Sequence, residues 1–117
     1  MSLLSRRRPA PPDPVAADIA VAGPDRPTGA VPIAEAVWRQ RAKVSGRVRS
    51  MRVQPWGGVQ TLECTLVDDS GGLILVFLGR RHVAGIDLGR RMVVEGMIGS
   101  RHGLLAILNP DYELSSV

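Results

Sequence analysis

The sequence predicts an all-β fold, a five-stranded Greek-key barrel over about residues 43–117. Three observations point to it. From Lys43 onward apolar residues recur with a period of two rather than 3.6. Clusters of Gly, Pro, Asp and Ser cut that stretch into pieces of strand length. The one inter-strand piece with room for a helical turn falls between the third and fourth pieces.

Residues 1–31 read as a proline-rich, disordered tail. Prolines at 9, 11, 12, 14, 24 and 27, with Gly23 and Gly29, interrupt any continuous helix or ladder. The Ala- and Val-containing stretch 15–22 is too short to be a stable helix alone. At Pro32 the pattern changes, because proline is well placed in the first turn of a helix. Ile33, Ala34, Ala36, Val37 and Trp38 then form an apolar stripe, with Glu35 and Arg39 on the wetter side. The spacing predicts a short N-terminal helix over 32–40, capping one end of the barrel with Trp38 as its anchor. Residues 32–117 therefore form the domain.

In the first strand, 43–53, Val44, Gly46 and Val48 share one face and Lys43, Ser45, Arg47 and Arg49 the other. Gly46 suggests a bend or bulge, and past Ser50 the parity slips, with Met51 and Val53 now apolar. Residues 54–58, Gln-Pro-Trp-Gly-Gly, read as a turn. The second strand, 59–67, sends Leu62, Cys64 and Leu66 inward and Thr61, Glu63 and Thr65 outward. Residues 68–72 are a hairpin loop, and 73–78 an apolar central strand whose faces look alike. The link 80–86 has Val83 and Ile86 for the core and Gly85 to limit a helical turn. The fourth strand, about 91–100, the turn 101–103 and the fifth strand, 104–109, complete the barrel, which ends at Pro110 with Tyr112 closing it. Three strands, a link and two strands is the order of an oligonucleotide/oligosaccharide-binding (OB) barrel; an SH3-like barrel places its helical turn before the last strand, and a sandwich needs more strands.

Composition narrows the function. The formal charge is +4, carried almost wholly by arginine, which raises the expectation of an anionic partner; a GC-rich genome also produces such usage. Cys64 is the single cysteine and is predicted inward, and His82 and His102 stand apart, so no disulfide, metal site or cofactor is expected. No nucleophile elbow or paired-carboxylate pocket is visible, so an enzyme is not expected. Arg6-Arg7-Arg8 leads into prolines rather than an apolar run, and no stretch approaches the roughly 18 residues of a membrane helix. No membrane association and a cytoplasmic location are expected.

The strings VSGRVRSMRV, LVDDSGGLILVFLG and LGRRMVVEGMIGSRHGLLAILNP carry a resemblance. Val44, Gly46 and Val48 match a V-x-G-x-V first strand; Asp68, Gly71 and Phe77 match the second hairpin; Leu88, Gly89, Val94, Gly96, Asn109 and Pro110 match the rest. Over about 44–112 the chain resembles the OB domains of the transfer-RNA-anticodon type, and among them the wedge module of RecG-type helicases. Without helicase segments or a P-loop, it looks like a stand-alone actinobacterial OB-fold protein. The resemblance implies nucleic-acid binding, most of its matching residues being barrel-building ones.

OB barrels bind on the second and third strands, bordered by the first–second and fourth–fifth loops. Trp56 lies in the first of these loops, where an indole stacks on any base or, folded down, caps the barrel. Arg101 and His102 occupy the second, to meet a phosphate, to stack, or to be solvated. Arg47, Arg49 and Arg52 line the polar side of the first strand as one edge of a phosphate track, which the pairs Arg80-Arg81 and Arg90-Arg91 extend. Glu63, Asp68 and Asp69 oppose this reading, and from residue 43 on nine basic residues face seven acidic ones. Two readings follow: a non-specific binder of single-stranded or branched nucleic acid, DNA or RNA, and a protein-interaction adaptor with its partner on the tail or third strand.

Overall fold

The computed structural model describes residues 26–115. The expectations that fall on residues 1–25 and 116–117 lie outside the described residues. Six strands appear among them: β1 (Arg41–Trp56), β2 (Val59–Val67), β3 (Gly72–Leu78), β4 (Arg91–Arg101), β5 (Leu104–Leu108) and β6 (Asp111–Leu114).

β1 is long because it serves both halves of the barrel. Residues 41–47 pair antiparallel with β4, and residues 47–56 pair antiparallel with β2. β2 pairs with β3, β3 runs parallel to β5, and β5 returns antiparallel to β4. The sheet thus closes in the order β1-β2-β3-β5-β4-β1, which leaves no open edge in the five-stranded ring. β6 resumes where β5 is interrupted at Asn109-Pro110 and continues along the first half of β4. Asn109 fixes that interruption: its N–H donates to Val76 O at 2.7 Å and its side-chain oxygen accepts from Leu78 N at 3.0 Å.

The parity read from the sequence sets the core. Val44, Val48, Leu62, Cys64, Leu66, Met92, Val94 and Ile98 all point inside and are buried. β3, whose faces look alike in sequence, sends Leu73, Leu75 and Phe77 into this core, and Ile74 and Val76 to a second small cluster with Ala106. The parity slip in β1 is a register shift between Val48 and Ser50, not at Gly46. Gly46 has a different task. A Cβ there would collide with the Val67 carbonyl oxygen, so its missing side chain lets β1 cross β2 closely.

Two helical expectations fail. The helix over 32–40 is not formed; only a three-residue 3₁₀ turn, Ile33–Glu35, is present. Its N–H groups are taken by the β2–β3 loop, the Asp68 carboxylate accepting from Ile33 N and Ser70 Oγ from Ala34 N, each at 2.9 Å. Ala36 then leaves in extended geometry, and Arg39 N already donates to Ile98 O of β4 while Gln40 O accepts from Ile98 N. So short an apolar segment has too little helical stability to compete with such tertiary bonds. Ile33, not Trp38, is the anchor: Ile33 is 1% exposed and Trp38 55%. The 80–86 link likewise holds only turns, although Val83 and Ile86 are buried as expected. Residues ahead of the turn are tied to the barrel, through Val31 N to Lys43 O at 2.9 Å and Arg26 to Asp69 at 3.1 Å. No helix among the described residues is long and apolar enough to cross a membrane.

Candidate functional site

The β1–β2 and β4–β5 connections are tighter than loops. Trp56 pairs with Val59, leaving only Gly57 and Gly58 in the turn, at φ 59° and 84°. Arg101 pairs with Leu104 around His102 and Gly103, at φ 55° and 79°. Left-handed geometry at both central residues is what a two-residue hairpin twisted to match its strands requires. His102 adopts it without being glycine. Trp56 and Arg101 are consequently held on ladders, in fixed positions, rather than on loose tips.

The barrel brings these two hairpins together. The Arg101 guanidinium lies over the Trp56 ring, 4.1 Å from its centroid. From there Arg101 Nε donates to Glu63 Oε2 at 2.9 Å, and Nη2 forms an ion pair with the same oxygen, also at 2.9 Å. His102 Nε2 lies 3.1 Å from Glu63 Oε1, and Arg52 Nη2 reaches the same oxygen at 3.5 Å. Glu63 points outward from β2 as its parity demands, yet its side chain is only 3% exposed beneath these partners. Burial works against its ionisation, but the hydrogen bonds and charge of Arg101 and His102 outweigh that and hold its pKa below the usual value.

Four of the six residues singled out in the sequence, Trp56, Arg52, Arg101 and His102, therefore form one cluster. Arg49 sits at the register shift of β1, and Arg47 lies beyond it, opposite Val67 and Arg91. Glu63, read from sequence as an obstacle to anions, is the hub of the cluster. The signal for it was present: a carboxylate on the expected binding face between two loops that each carry arginine or histidine. Glu63 also lines a groove of about 250 Å³, together with Ser50, Arg52, Thr65, Ile74, His102 and Leu104.

The arrangement offers guanidinium donors beside an aromatic ring. Arg101 donates its Nε–H to Glu63 and keeps guanidinium N–H groups for an incoming acceptor. Trp56 remains 37% exposed, so its ring offers stacking area next to cationic groups. Cys64 lies under this face within the core, and burial pushes its thiol up to about 11. Among the described residues no three His, Cys, Asp or Glu side chains gather as a metal site requires.

Comparison with solved structures agrees with the topology. The chain is similar to the solution structure of a replication factor A related protein from Methanobacterium thermoautotrophicum, with a TM-score of 0.60 and 15% identity over 74% of this chain and 91% of that one. The fold is OB-like. No protein-family model matches the chain, and no curated protein matches it. At this identity the likeness concerns the barrel alone.

Proposed function

We propose that the protein binds single-stranded or branched nucleic acid, without strong sequence preference, across the face between the two hairpins. The observation that carries this reading is the Trp56–Arg101–Glu63–His102 cluster, which places a stacking surface against a guanidinium where OB barrels take their ligands. The fold likeness to a replication factor A related protein supports it. In this reading a base stacks on the free area of Trp56, while Arg52 and the unused donors of Arg101 meet the backbone phosphates. Glu63 moderates affinity by competing with phosphate for Arg101. Binding rather than turnover is the activity in this reading.

The test is fluorescence anisotropy with labelled single-stranded, duplex and forked oligonucleotides at increasing salt. Binding is expected to weaken steeply between low and physiological salt, as phosphate neutralisation demands. Trp56→Ala should lose about 1–3 kcal/mol of affinity for each base stacked, with its far-ultraviolet circular dichroism unchanged. No anisotropy change with any oligonucleotide at low salt would remove the proposal. The adaptor reading would then lead, because Val37, Trp38 and Met97 are exposed near one another where β1 begins.

A further inference from the structure

A second group of arginines lies outside the cluster above. Arg47 and Arg91 are direct partners across the β1–β4 ladder, so two like charges face each other on one side of the sheet. Arg90 joins them through the backbone, its carbonyl accepting from Val48 N at 2.9 Å. The Nε atoms of Arg47 and Arg90 are both shut off from solvent and have no hydrogen-bond partner. Among the described residues no ion pair reaches Arg47, Arg90 or Arg91. Of the carboxylates that flank them along the chain, Asp87 makes no ion pair with them among the described residues, and Glu95 is paired with Arg41.

Both features are unfavourable as they stand. Like charges directly opposite destabilise a ladder, and a buried donor without an acceptor forfeits its hydration uncompensated. Several other arginines of this barrel do have carboxylate partners: Arg26 with Asp68 and Asp69, Arg41 with Glu95 and Asp111, Arg52 and Arg101 with Glu63. One tetrahedral oxyanion cancels that repulsion, because it offers several acceptors to the outward Nη edges of the guanidinium groups. A carboxylate provides two oxygens in one plane, whereas phosphate can serve guanidinium groups arriving from β1 and from the start of β4.

We infer that Arg47, Arg90 and Arg91 form a phosphate-binding site at the end of the β1–β4 ladder, separate from the Trp56 face. Arg47 and Trp56 lie nine residue steps apart on β1, roughly 30 Å along an extended strand. The site stands whether or not the Trp56 face binds nucleic acid. Its phosphate belongs either to a nucleic-acid backbone or to a free phosphate or phosphomonoester.

The experiment follows the arginine Nε–H signals of the full chain by ¹H–¹⁵N NMR during titration with inorganic phosphate, against sodium chloride at matched ionic strength. Saturable shifts of the Arg47 and Arg90 signals with phosphate but not chloride are expected, with a higher melting temperature in phosphate. Arg47→Gln should abolish the phosphate shift of Arg90 and leave the fold intact or more stable, because a repulsive pair is removed. A second titration uses unlabelled oligothymidylate. If it moves the same two signals and Arg47→Gln lowers the logarithmic salt slope of binding by about 1, the phosphate is a backbone phosphodiester. If inorganic phosphate moves them and the oligonucleotide does not, the ligand is a free phosphate or phosphomonoester. If neither moves them, the inference falls, while a shift of the Trp56 indole N–H with oligonucleotide would still uphold the proposed function. Should Arg47→Gln fail to fold, the two wild-type titrations decide alone.

Discussion

Replacing Glu63 by glutamine separates what the hub does for the fold from what it does for binding. The carboxylate accepts from Arg101 Nε at 2.9 Å, is ion-paired with Nη2 at 2.9 Å, lies 3.1 Å from His102 and 3.5 Å from Arg52, and is 3% exposed. Glutamine keeps the shape and one acceptor but removes the charge, and it turns an amide donor toward one of these partners. Breaking a buried ion pair costs about 3–5 kcal/mol when the surviving charge is trapped. Arg101 is not trapped, since it is partly exposed and stays against the Trp56 ring. Loss of a charge-assisted hydrogen bond, about 1.5–3 kcal/mol, is the closer guide. A cost of about 2 kcal/mol is therefore expected, which for a domain of this size lowers Tm by roughly 8–16 °C. Affinity for single-stranded DNA should move the other way, rising about 3- to 10-fold at 50 mM salt as Arg101 is released and one negative charge leaves the face. The salt slope should steepen by about 1. Because the folded state holds the Glu63 pKa below its ordinary 4.5, its stabilisation is complete above the unfolded value and fades as pH falls through the folded one. The stability gap between wild type and Glu63→Gln should thus narrow below about pH 4.5. Urea melts from pH 3 to 7 and anisotropy titrations measure all of this. A variant as stable as wild type, with equal or weaker DNA binding, would refute the competition between Glu63 and phosphate.

Gly46→Ala places a Cβ against the Val67 carbonyl, which is backbone and cannot swing aside, so β1 must move off β2. A loss of at least about 3 kcal/mol in chemical denaturation is expected. Asp68→Ala removes the buried carboxylate that accepts from Ile33 N, Ser70 N, Ser70 Oγ and Gly71 N. The buried Ile33 N–H is left unmet and the loop loses three further bonds, for a loss of about 2–4 kcal/mol and faster exchange of the Ile33 amide in hydrogen-exchange NMR. Cys64, buried with its thiol near 11, should resist iodoacetamide in the native protein at pH 8 and react within minutes in urea. Rapid native labelling would mean that the core opens at this strand.

The sequence by itself determined the barrel. Alternation places Val44, Val48, Leu62, Cys64 and Leu66 on one face through a rule acting between immediate neighbours, and burial on that face follows from the hydrophobic effect. Turn-forming glycines and aspartates mark the hairpins for a similarly local reason. The 32–40 segment shows where local reasoning ends. Its apolar spacing is helical, but Asp68 and Ser70, 35 and 36 residues away, claim its N–H groups first. The candidate site divides in the same way. That Trp56, Arg52, Arg101 and His102 are the residues to consider follows from residue type and loop position. That they converge on Glu63 was decided by closure of the barrel, which brings residues 38 and 39 positions downstream onto one carboxylate of β2. Glu63 looked hostile to anions because its charge was legible and its partners were not. Only the tertiary structure, by pairing that charge with Arg101 and His102 and leaving Arg47 and Arg91 face to face, decided which arginines are already engaged and which still require an acceptor.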